Sequence, residues 1–185
     1  MVENLSNLGQ VGLAYIYCDY RDQTKQTVVN IMGSLLQQLL FATSPIPNEV
    51  QKRLELIQGH GKAVEIGDIA EMLKITLSHF HHIFICIDAL DELEPRTRLG
   101  LLASLGTEFR TARVFLTGRP TVQHYINHSL KTQQANAINI TPNQDDIKSF
   151  LLNEIQVDKN ISPDTMNSKL EVEILSTIIA GSKGM

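Results

Sequence analysis

Residues 81–93 read HHIFICIDALDEL. Five apolar residues, 83–87, are rich in β-branched side chains and stop abruptly at Asp88, with Asp91 and Glu92 close behind. A short apolar run bounded by polar residues predicts a strand buried on both faces, as in a parallel sheet. The acids then fall at the strand's carboxyl end, where open α/β sheets place their ligands. A plainer reading is a core strand that runs out into a solvated acidic turn, and apolar residues followed by one Asp would not decide between the two. Three acids in the pattern D-A-L-D-E favour a site that handles a cation or a phosphate.

Working outward, residues 11–17 (VGLAYIY) and 112–116 (ARVFL) are two more apolar runs expected as strands, and residues 137–140 a short fourth. Between them the apolar residues recur at helical spacing. Residues 27–41 carry Val28, Ile31, Leu35 and Leu39, and Thr43-Ser44-Pro45 ends that helix. A second helix starts at Pro47 and stops at Gly59-His60-Gly61, and a third covers 65–80. After the acids, residues 98–110 predict a helix with Leu99, Leu102, Leu105 and Phe109 on one face, and 121–130 a short one. Thr141-Pro142 opens a helix at Asn143 with Ile147, Phe150, Leu151 and Ile155 facing inward; 158–163 is expected as a loop and 169–180 as the last helix. Strands alternating with helices imply a parallel sheet with helices on both faces, a three-layer α/β domain. Residues 1–10 show no periodicity and stand apart as an irregular segment, leaving 11–185 as one domain or part of one.

Composition narrows the function classes. The net charge is −4 and there is no run of Lys or Arg, which argues against a nucleic-acid surface. The longest apolar runs are far too short to span a bilayer. Cys18 and Cys86 lie in apolar runs, neither has a CxxC partner, and no secretory signal precedes them. They are expected as buried free thiols in a reducing, cytoplasmic setting. The histidines (His79, His81 and His82; His124 and His128) lack the Cys or third ligand that a zinc site needs. No nucleophile elbow is visible.

A second signal follows the 112–116 strand, which ends in Thr117-Gly118-Arg119-Pro120. If this strand neighbours the one ending at Asp88, guanidinium and carboxylates face one crevice. A forked, always-charged donor set there suits a phosphate. Alone, Arg119 would read as a surface residue in a turn set by Pro120.

The segment 83–92 has the form of a Walker B motif, whose Asp holds Mg²⁺ in P-loop NTPases. ICIDALDEL with RVFLTGRP resembles the NACHT-type STAND NTPases, in particular the nephrocystin-like N-terminal domain of fungal NLR-like receptors. LAYIYCDY, TVVNIMGSLLQQLL, IPNEV and Asp145-Asp146-Ile147 match that pattern as well. The resemblance implies that Asp88 holds Mg²⁺ through water, that Asp91 and Glu92 orient or activate the attacking water, and that Thr117 and Arg119, in the sensor-1-like segment 112–120, face the γ-phosphate. It implies Mg²⁺ and ATP or ADP as cofactors, and a switch in which the ATP state assembles and the ADP state rests. Implied partners are further copies of the domain and other domains of the same receptor. Gly118 stands where such proteins have Ser, which is expected to loosen the support of Arg119.

The glycine-rich Walker A loop of the family is not found in these 185 residues. Gly9 and Gly12 have no Lys-Ser or Lys-Thr after them; Gly61-Lys62-Ala63 ends like a phosphate loop, but Ala63 cannot ligate Mg²⁺ and residue 56 is Leu. The expectation is therefore a partial domain without its first strand, phosphate loop and following helix, with Gly184-Met185 opening the family's Gly-Met-Phe-Leu segment. Such a chain alone is expected to bind and hydrolyse ATP poorly. The alternative is a nucleotide-free degenerate domain that acts as an interaction or scaffold module.

Overall fold

The computed structural model describes residues 10–59, 61–130, 136–140, 143–161 and 167–181. The expectations for residues 1–9, His60, Thr141-Pro142, the far end of the 158–163 loop and Gly184-Met185 lie outside the described residues. The chain divides into two compact units, 1–135 and 136–185.

Among its described residues the first unit has three strands, β1 (Val11–Tyr17), β2 (His82–Asp88) and β3 (Arg113–Leu116), in the order β1-β2-β3 and all parallel. The register sets Tyr15 beside Cys86 and Cys86 beside Phe115, while Tyr17 lies opposite Asp88. Helices α1 (Val28–Thr43), α2 (Asn48–Gly59) and α3 (Ile66–Leu77) follow β1; α4 (Pro95–Glu108) and the short α5 (Gln123–Ser129) flank β3. This is the expected α/β class, a parallel sheet flanked by helices, although in the described residues the helices gather on one face and the other stays open.

Local chemistry fixes the helix starts. Thr27 caps α1 by accepting the Asn30 N–H at 3.2 Å. At α3, Asp68 reaches back to the Glu65 N–H at 3.0 Å in a capping box, and Arg53 of α2 bridges Asp68 and Glu71. Pro95 sits in the first turn of α4, where its missing N–H costs nothing.

One face of the sheet carries the core. Ala14, Ile83, Ile85 and Ile87 join Leu35 and Leu39 of α1, Leu73 of α3, and Leu101, Leu105 and Phe109 in a single cluster. Gly12 lets this happen, because a Cβ there would stand 3.0 Å from both Leu39 and the Phe80 ring. On the opposite face Leu13, Tyr15, Tyr17 and Phe115 are exposed, with Phe84 and Cys86 half-buried between them. The aromatic rings cover one another in part: Tyr15 meets Tyr17 edge-on at 6.1 Å, and Phe84 stacks on Phe115 at 6.5 Å.

Three expectations need correction. Residues 137–140 are not a strand: among the described residues none pairs with them, and Ile138 and Ile140 are 85% and 89% exposed. Four apolar-alternating residues make a strand only when a ladder receives them. On α4 it is Leu101 and Arg98 that turn inward with Leu102 and Leu105, whereas Leu99 is exposed. In the second unit, α6 (Gln144–Ile161) runs through residues expected as loop, and Phe150 on it is exposed although Ile155 is buried. It packs against α7 (Ser168–Gly181). Among the described residues no helix is long and apolar enough to cross a membrane.

Candidate functional site

The carboxyl ends of the three strands meet at the acidic turn. Cys18, just past β1, donates its N–H to the Asp88 carbonyl at 3.0 Å, and Thr117, just past β3, donates its own to the Ile87 carbonyl at 3.0 Å. Asp88 thus ends the central strand with a neighbour on each side. The chain then enters the left-handed region at Ala89, φ 54°, and makes one 3₁₀ turn over Leu90–Glu92. A non-glycine residue adopts this conformation only when its surroundings impose it.

Those surroundings come from three elements. From β3, the Thr117 hydroxyl donates to the Asp88 carboxylate and accepts the Ala89 N–H at 3.0 Å, while the Thr117 carbonyl accepts the Leu90 N–H at 2.9 Å. From the loop after β1, the Tyr20 N–H donates to the Glu92 carboxylate at 3.0 Å. The Gln23 amide spans the turn's exit, donating to the Glu92 carbonyl at 2.6 Å and accepting the Glu94 N–H at 3.1 Å. From α4, Arg98 reaches three of the turn's carbonyls.

The structure brings all five sequence-predicted residues to one end of the sheet, with different engagements. Asp88 is bonded to Thr117. Asp91 accepts the Arg119 main-chain N–H at 3.0 Å and faces the Arg119 Nε at 3.3 Å. The Arg119 side chain is otherwise 78% exposed, so its guanidinium projects into solvent at the rim. Gly118 makes this approach possible: a Cβ there would stand 3.3 Å from the Asp91 carboxylate and 3.0 Å from Val122. The glycine expected to loosen Arg119 instead lets its loop close on the acidic turn.

Charge around the site is uneven. Burial, with Asp88, Asp91 and Glu92 nearby, pushes the Cys18 thiol up from 9.0 to about 11, against a smaller opposing pull from Arg98. Asp19, at the mouth of the same loop, is held at about 2 by hydrogen bonds from Arg21, whose guanidinium lies 2.6 Å away. The carboxylates do not converge into a direct metal cage: among the described residues no group of three or more His, Cys, Asp or Glu side chains could hold an ion. A single acid beside a hydroxyl fits Mg²⁺ held mainly by water and phosphate, which is how that ion is commonly bound.

Sequence reasoning missed Arg98, Gln23 and Tyr20. Tyr20 acts through its backbone and left no signal, and a glutamine in a polar loop is equally silent. Arg98 had one: it occupies the helix position four before Leu102, on the stripe that otherwise faces the core.

The family model described as Nephrocystin 3, N-terminal matches residues 1–119. The chain belongs to this family. The match takes in all three strands and ends on Arg119, so every residue of the acidic corner lies within the nephrocystin 3 N-terminal region. No curated protein and no solved structure matches the chain.

Proposed function

We propose that this nephrocystin 3 N-terminal family member is the Walker B and sensor portion of a NACHT-type STAND nucleotide switch, part of an intracellular NLR-like signalling receptor of the kind found in fungi. The observation that carries this reading is the pairing of β2 with β3, which sets Asp88 beside Thr117 and Asp91 beside Arg119 at the ligand-binding end of a parallel sheet. In the reading, Asp88 orients water on Mg²⁺, with Thr117 fixing its rotamer. Asp91 and Glu92 stand where an attacking water would be oriented, and the exposed Arg119 guanidinium meets the terminal phosphate. Bound Mg²⁺ and ATP supply the transferable phosphoryl group and the charge that neutralises it. The nucleotide state then biases self-association and contacts with neighbouring receptor domains.

These 185 residues contain no Gly-Lys-Ser/Thr loop. Its backbone N–H groups and Lys make charge-assisted bonds worth about 1.5–3 kcal/mol each. Micromolar affinity corresponds to about −8 kcal/mol, so a few missing bonds remove it. The chain alone is therefore expected to bind ATP weakly and not to turn it over. Titration of the chain with Mg²⁺-ATP, against Asp88→Ala, tests this. Weak binding that Asp88→Ala weakens further supports the reading, and binding indifferent to Asp88 overturns the site assignment.

The second reading is a nucleotide-free interaction module. The exposed aromatic face of the sheet favours it, since parallel sheets ordinarily bury both faces.

A further inference from the structure

Arg98 is 8% exposed, on the α4 face that also buries Leu101, Leu102 and Leu105. A guanidinium withdrawn from water is costly unless its donors are met. Three of its five N–H groups are met by main-chain carbonyls. Its Nε donates to Leu90 at 3.2 Å, and one terminal nitrogen donates to Asp91 at 2.8 Å and to Leu93 at 2.7 Å. All three carbonyls belong to the turn that presents Asp91 and Glu92. The guanidinium carbon also lies 5.0 Å from the centre of the Tyr125 ring on α5, a cation–π contact made more often by Arg than by Lys.

These contacts close a ring. Arg98 holds the Asp91 carbonyl; the Asp91 carboxylate holds the Arg119 N–H; a 3₁₀ turn, Pro120–Val122, leads from Arg119 directly into α5; and Tyr125 of α5 returns to Arg98. The turn is thereby held from both sides, its N–H groups by Thr117 and its carbonyls by Arg98.

We propose that Arg98 is a positioning residue, which couples the Arg119 loop to the acidic turn by clasping the turn's carbonyls and stacking on Tyr125. A displacement of Arg119 then moves Asp91, and a displacement of the turn moves Arg119, although Arg98 and Arg119 share no hydrogen bond or ion pair. The functional meaning of the coupling rests on the nucleotide reading above; the coupling itself does not.

The test follows backbone amide resonances of the full ¹⁵N-labelled chain without nucleotide. Arg98→Met keeps an apolar stem and removes the donors; Asp91→Asn supplies the reference position for an Arg119 amide with a weakened acceptor. In Arg98→Met the amides of Leu90, Asp91 and Leu93 are expected to shift, and the Arg119 amide to shift towards its Asp91→Asn position. In Arg98→Ala, millimolar guanidinium is expected to move Arg119 back where sodium chloride does not. A residue that only fills space in α4 would move neither. An Arg119 amide that stays in place in Arg98→Met, while Asp91→Asn moves it, overturns the proposal.

Should Arg98→Met not fold, Arg98→Lys and Tyr125→Leu decide. Joint shifts of the turn and Arg119 support the coupling, and independent ones refute it. ATP binding indifferent to Asp88→Ala would remove the site assignment and leave this result standing, whereas an unmoved Arg119 amide would remove the coupling and leave the titration unaffected.

Discussion

Thr117 and Asp88 stand side by side at the ends of β3 and β2, and one Thr117 hydroxyl both donates to the Asp88 carboxylate and accepts the Ala89 N–H. That single oxygen fixes the acid's rotamer and secures the first residue of the left-handed turn. Two separate strands are thus locked at the point where the chain leaves the sheet, and the acid's orientation is a property of the strand pairing as much as of its own sequence.

Thr117→Val keeps the shape of the side chain and removes both bonds. It leaves the Ala89 N–H without its acceptor, and the expected cost is about 1–3 kcal/mol. Thr117→Ser, which retains the hydroxyl, is expected to recover most of this. Urea denaturation of the three chains checks it; a Val variant as stable as wild type would mean that water replaces the hydroxyl at no cost.

Gly118 gives a second prediction, because its effect runs against the intuition that a larger residue supports Arg119. A Cβ would meet Val122 at 3.0 Å and the Asp91 carboxylate at 3.3 Å, so the loop must move outward. Gly118→Ala is expected to destabilise the chain by about 1 kcal/mol, in the lower range of overpacking costs. It should also lengthen the Arg119–Asp91 contact, seen as a shift of the Arg119 amide. A more stable Ala variant with that amide unmoved would show that the loop has slack the distances do not reveal.

Much of this was legible beforehand, and the division has a physical basis. The sheet was readable because β-branched runs such as IFICI have few alternatives to a buried strand, and Asp88 and Thr117 mark where each run stops. The pairing of β2 with β3 entered the sequence reading only as a condition, and the register meets it. The clasp was not readable, because Arg98, Gln23 and Tyr20 act on backbone groups of residues far away in sequence, and backbone partners leave no trace in side-chain patterns. The 137–140 strand was overread for the converse reason: its local pattern is right, and strand formation depends on a partner that local pattern does not specify.

Gln38 protects the outer edge of β1. Its amide accepts the Tyr15 N–H at 3.0 Å and donates to the Tyr15 carbonyl at 2.9 Å, as a neighbouring strand would. Gln38→Ala frees both groups at an edge strand whose exposed face carries Leu13, Tyr15 and Tyr17. Because water can take over at an exposed site, the stability loss is expected to be about 1 kcal/mol. The larger effect is expected in association, since an unpaired edge is a template for another chain. Light scattering at rising concentration should show more self-association in the variant, and equal scattering would assign the edge no such role.

The two cysteines are expected to part company chemically. Cys86 is half-buried on the open aromatic face, whereas Cys18 is buried behind the acidic turn with its thiol pushed up to about 11. Thiolate is the reactive form, so a thiol reagent at pH 8 should label Cys86 first and leave Cys18 protected until the chain unfolds. The same shift has a signed consequence for stability. Below 9.0 the Cys18 thiol keeps its proton in both states and its contribution is fully present. Between 9.0 and about 11 the unfolded chain gives up the proton while the folded chain keeps it, so stability falls as pH rises, and the contribution is gone above that window. Cys18→Ala has nothing to titrate there, and its stability should decline less steeply than wild type from pH 9 to pH 11, as read by urea unfolding at a series of pH values. Parallel alkaline slopes in the two chains would show that burial, with the acids of the turn nearby, does not hold the proton on this thiol.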